Sequence, residues 1–119
     1  MYVRADGGPA GAPDAFARLE TALGGPRGRR FLGWLKDGEY RACAVVRPGE
    51  DPAAYGLAKE LVPGGAYARA RHEGPFARLP ETFRALERLH RVDATRPDLE
   101  DYRSRDEVFA LLPVLAEPS

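Results

Sequence analysis

Three blocks of this sequence recur in the same order in its second half, and that repetition restricts the possible folds more than any composition figure. Gly8-Pro9 returns as Gly74-Pro75, 66 residues on. Pro13-Asp14-Ala15-Phe16-Ala17-Arg18-Leu19-Glu20 returns as Pro80-Glu81-Thr82-Phe83-Arg84-Ala85-Leu86-Glu87, 67 residues on. Glu39-Tyr40-Arg41-Ala42-Cys43-Ala44-Val45-Val46 returns as Glu107-Val108-Phe109-Ala110-Leu111-Leu112-Pro113-Val114, 68 residues on. An offset that grows by one per block is what duplication followed by single insertions would leave. The halves are read as residues 1–47 and about 57–115, with a linker over 48–56, inside one domain of 1–119.

Each half reads as β-α-β-β. Proline fits the first helical turn and an acid there favours the positive helix end, so Pro13-Asp14 and Pro80-Glu81 open helices. The first helix carries Phe16, Leu19 and Leu23 on one face and stops at Gly24-Gly25. The second carries Leu79, Phe83, Leu86 and Leu89 or His90, and runs to about Arg91. Strands are predicted over 31–36 and 40–47, joined by the hairpin signal Asp37-Gly38, and over 99–103 and 107–115. Further strands precede the helices over 1–6 and 67–72, and 57–62 adds a segment before Pro63-Gly64-Gly65. Neither half can bury its own sheet alone. The expected fold class is therefore α+β: duplicated β-α-β-β units with pseudo-twofold symmetry, an antiparallel sheet with helices on one face and a groove on the other.

Composition narrows the function. With 44% hydrophobic and 30% charged residues the chain is globular, and its longest apolar run, Phe109 to Ala116, is far too short to span a bilayer. The N-terminus lacks a signal-peptide core, so a cytoplasmic location is expected, without membrane contact. Eighteen basic and 18 acidic residues cancel, which argues against nucleic acid as a direct partner. Cys43, the single cysteine, sits in an apolar run and is expected to be a small buried hydrophobe. His72 and His90 with one cysteine give no metal-site spacing, and no cofactor is implied. His72 is read as closing the turn into Gly74-Pro75. Ser104 and Ser119 offer no Ser-His-Asp arrangement. The loop Gly24 to Arg30, with Arg27, lacks a phosphate-loop lysine and is read as solvated.

Val62-Pro63-Gly64-Gly65-Ala66-Tyr67-Ala68-Arg69, continuing to His72-Glu73-Gly74-Pro75-Phe76, resembles the strand and turn of GyrI-like small-molecule-binding domains, the effector-binding domains of AraC-type regulators. Leu79-Pro80-Glu81-Thr82-Phe83 resembles the helix that follows, and Pro97-Asp98-Leu99-Glu100-Asp101-Tyr102 the family's later strand. Asp37 to Cys43 fits its first half. The family's Trp-Leu-Pro segment after the second helix is replaced here by Leu89-His90-Arg91-Val92-Asp93.

The resemblance implies a ligand groove on the helix-free side, with Glu100 as the glutamate that meets cationic or polar aromatic compounds. Strand alternation puts Glu100 and Tyr102 on one face, and an offset of 68 equates them with Leu32 and Trp34. These four residues are expected to converge, with Tyr67 lining the same groove. A carboxylate among rings offers charge pairing, stacking and cation–π attraction. The plainer alternatives are a solvated Glu100 paired with Arg103 or Arg105, and a core Tyr67. The expected function is a stand-alone domain that senses or sequesters a small compound. Alternatives are a small-molecule hydrolase with Glu100 acting on water, and a gyrase-inhibitor-like protein-interaction module.

Overall fold

The computed structural model describes residues 1–25, 28–104 and 106–115; Arg27 of the glycine–arginine loop and the Arg105 considered for Glu100 lie outside them, as does Ser119. The chain is α+β and divides into two compact units, Met1–Leu61 and Val62–Ser119.

In the first unit, strand β1 (Tyr2–Arg4) leads through a short 3-10 turn to helix α1 (Ala12–Leu23) and the hairpin β2 (Phe31–Lys36) and β3 (Glu39–Ala44). The strands are antiparallel with β3 in the middle. Asp37 and Gly38 both take positive φ, 52° and 79°, as a two-residue hairpin turn matched to strand twist demands. Ala15 and Leu19 of α1 are fully buried against Tyr40, Ala42 and Ala44 of β3, with Met1 and Ala5 closing the cluster. Phe16 meets Phe31 and Tyr40 edge-on, each at 6.3 Å between ring centroids. Burying Leu19 alone contributes about 2 kcal/mol.

The second unit repeats that order of elements. Strand β4 (Tyr67–Arg71) leads through a 3-10 turn (Phe76–Arg78) to α2 (Leu79–Leu89), then β5 (Asp98–Tyr102) and β6 (Val108–Pro113). Here β6 is the middle strand, again antiparallel to both neighbours. Leu79, Phe83 and Leu86 of α2 pack on Ala68, Val108, Ala110 and Leu112. The helix lies over β4 and β6. Phe16 and Phe83 both lie in helices, and Ala42 and Ala110 are both fully buried in the middle strand.

Several boundaries differ from expectation. β3 ends at Ala44 because its pairing partners end there: the Ala44 amide donates to the Met1 carbonyl (2.9 Å) and the terminal ammonium donates to the Ala44 carbonyl (3.0 Å). Val45 and Val46 are left exposed. The segment predicted as strand over 57–62 makes only the isolated bridge between Tyr2 and Ala58. α2 stops at Leu89, which is 77% exposed and does not join the buried face. Among the described residues no helix is long and apolar enough to cross a membrane.

Candidate functional site

Cross-strand register decides which face each candidate occupies. In the first unit, Gly33 pairs with Ala42 on the α1 side, so Leu32 and Trp34 pair with Cys43 and Arg41 on the opposite side. In the second unit, Glu100 pairs with Ala110 and Tyr102 with Val108, both part of the core under α2. Glu100 and Tyr102 therefore stand on the helix-bearing face of their sheet, not on the helix-free one. If Ala42 is matched to Ala110, the partner of Glu100 is Gly33 and the strand offset is 67, not 68. A one-residue difference in offset is enough to turn a whole strand over.

Tyr67 stands apart as well. It pairs with Pro113, on the face away from α2, and its ring lies under the Arg96 guanidinium, 4.8 Å from centroid to Cζ. Its hydroxyl donates to the Pro63 carbonyl at 3.3 Å. Arg96 is itself anchored on the Asp93 carboxylate and on the carbonyls of Ala66 and Val114, each bond at 2.9 Å. The Asp93 carboxyl is held down at about 2, first by the Thr95 hydroxyl and then by Arg96. Gly65 packs directly against this guanidinium, which explains a glycine in Pro63-Gly64-Gly65. Tyr67 is thus a loop anchor.

Trp34 is committed in a similar way. The Arg41 guanidinium lies between the Trp34 and Tyr2 rings, 4.0 and 4.3 Å from their centroids, and bonds the carboxylates of Glu39 and Glu60. This stack ties β1, β2, β3 and the chain near Glu60 together. Cys43, on the same face, is half-buried rather than buried, and desolvation pushes its thiol up to about 12.

What the fold does bring together is a row along β5. Asp98, Glu100 and Tyr102 alternate onto the α2 side, spaced about 7 Å apart. All three are half-buried, since α2 covers β4 and β6 more than β5. The Tyr102 hydroxyl donates to Glu100 Oε1 at 2.8 Å. Phe76 lies beside Tyr102 at 5.8 Å between centroids, with 58° between ring planes. Burial pushes the Asp98 carboxyl up to about 6, helped by the negative charges of Glu87 on α2 and Glu100 on its own strand. The arrangement is a half-wet acidic strip ending in two tilted rings. It is chemically suited to a flat cation.

Asp98 and Phe76 were not singled out from the sequence. The alternation that joins Glu100 to Tyr102 also reaches Asp98, so one strand step back would have found it. Phe76 sits in a turn, where no periodicity points to a face. Among the described residues no group of His, Cys, Asp or Glu could hold a metal ion. Compared with known proteins, the chain matches no family model, no curated protein and no solved structure.

Proposed function

We propose that the second unit binds a small planar aromatic cation, with its charge toward Glu100 and Asp98 and its ring toward Tyr102 and Phe76. The supporting observation is the Glu100–Tyr102 hydrogen bond within a half-buried row that ends against the Phe76 ring. Such a site sequesters or senses a compound. The GyrI-like resemblance of Pro97 to Tyr102 also singles out Glu100, although it implies the helix-free face and Glu100 stands on the helix-bearing one. Leu32, Trp34 and Tyr67 are left out of the site, because the first two lie on the other face of their own sheet and Tyr67 is taken up by Arg96.

Titration with proflavine, a fluorescent planar cation, tests this. Glu100→Gln keeps the acceptor for Tyr102 and removes the charge. At a half-wet carboxylate the loss should be about 1–2 kcal/mol, or roughly five- to thirtyfold in affinity. Neutral hydroxymethylanthracene should bind both proteins alike. Proflavine affinity should also rise with pH through about 6, as Asp98 ionises. Equal proflavine binding by wild type and Glu100→Gln would refute the assignment.

A hydrolytic reading keeps one observation in its favour: the Asp98 carboxyl, pushed up to about 6, stands beside Glu100 on the same face of one strand. Product analysis on the same samples distinguishes it, since a general base is needed for turnover and not for binding.

A further inference from the structure

His72 is a buried titratable side chain, 7% exposed, that the binding reading leaves unused. It follows β4 directly, with its amide donating to the Val108 carbonyl at 3.0 Å, and alternation from Ala68 and Ala70 places it under α2. Across the sheet His72, Val108 and Tyr102 form one row on that face. Both imidazole nitrogens are engaged, each at 2.7 Å: Nδ1 with Thr82 Oγ1 and Nε2 with the Pro75 carbonyl. A carbonyl only accepts, so Nε2 carries a proton toward Pro75, while Nδ1 shares a hydrogen bond with the Thr82 hydroxyl, which can donate or accept. Thr82 belongs to the first turns of α2, whereas Pro75 immediately precedes Phe76.

The imidazole therefore bolts the Pro75–Phe76 turn to the helix. Apart from the imidazole, the turn is held by two backbone bonds, from the Arg78 amide to the Pro75 carbonyl at 2.9 Å and from the Leu79 amide to the Phe76 carbonyl; its 3-10 segment is three residues long, none of them buried, and Phe76 is 37% exposed. Yet the Phe76 ring spans from the His72 ring, at 6.5 Å, to the Tyr102 ring, at 5.8 Å. We propose that His72 is a positioning residue: by holding the Pro75 carbonyl it sets Phe76 against Tyr102, and so gives the Glu100 site its preference for aromatic over aliphatic cations. This rests on the binding reading above. His72 touches no ligand in this scheme. Its effect passes through one ring, so it changes selectivity and leaves the charge at Glu100 untouched.

The test compares proflavine with adamantylammonium, a saturated cation, on wild type, His72→Ala, His72→Gln and Phe76→Ala. His72→Ala should weaken proflavine about three- to tenfold, the size of a lost ring contact, and change adamantylammonium less than about twofold. His72→Gln should restore binding, because its amide N–H reaches the Pro75 carbonyl. Phe76→Ala should reproduce the loss, and adding His72→Ala to it should lose little more. Thr82→Val releases the imidazole from α2 and carries the same selective loss at smaller size, should His72→Ala fail to fold. Glu100-dependent binding that these changes leave unaltered, or weaken equally for both cations, overturns the positioning role alone. Failure of wild type to bind either cation removes the binding reading and this inference with it.

Discussion

Asp98→Asn keeps the shape of the side chain and removes its charge, and the fold makes the consequence pH-dependent. The carboxyl titrates near 3.8 when unperturbed and is pushed up to about 6 in the folded chain, by burial first and then by Glu87 and Glu100. Between those two values the folded state holds a proton that the unfolded state has released. Stability from this group is therefore fully present below about pH 4 and is lost as pH rises through about 6. A shift of two units felt in full would be worth about 3 kcal/mol, and solvent at this half-buried carboxyl screens it to about 1 kcal/mol. Asp98→Asn should be about 1 kcal/mol more stable than wild type at pH 7 and equal to it at pH 3.5. With a urea slope of about 2 kcal/mol/M, the midpoint should move by about 0.5 M. Unfolding followed through amide signals of α2 and β6 reads the unit that contains Asp98, across pH 3.5 to 7. Parallel curves for the two proteins between pH 4 and 6 would refute the reasoning, as would an asparagine variant less stable at pH 7. Either result would mean the carboxyl is solvated or has found a donor.

Two further expectations concern residues away from the site. Cys43, with its thiol pushed up to about 12, should react with iodoacetamide at neutral pH far more slowly than a free thiol, and rapid labelling of the native protein would contradict that. Gly65→Ala would bring a methyl group into the anchored Arg96 guanidinium at a backbone φ of 146°, and should cost about 1–3 kcal/mol; an unchanged melting curve would show that Arg96 yields readily.

Much of this fold was legible in the sequence because it depends on local chemistry. Pro13-Asp14 and Pro80-Glu81 open helices in both units, and Asp37-Gly38 makes the hairpin its backbone preferences demand. Periodicity picked out Leu19, Leu79, Phe83 and Leu86, all of them buried. It failed at Leu89, the last residue of the helix, which is 77% exposed. The turn at Pro75–Phe76 was legible only through His72, because its position comes from turn and side-chain hydrogen bonds and has no repeating pattern.

Alternation along β5 is a property of any strand, so the sequence alone determined that Asp98, Glu100 and Tyr102 share one face. Which face it is could not be read there. That was decided when Glu100 came opposite Ala110, beneath α2, while in the other unit Gly33 came opposite Ala42. Register is set by how a whole strand packs against its neighbour and the helix above it, and one step reverses every side chain. Only the tertiary structure, by fixing that step, separated Glu100 and Tyr102 from the face that a repeat offset of 68 had assigned to them.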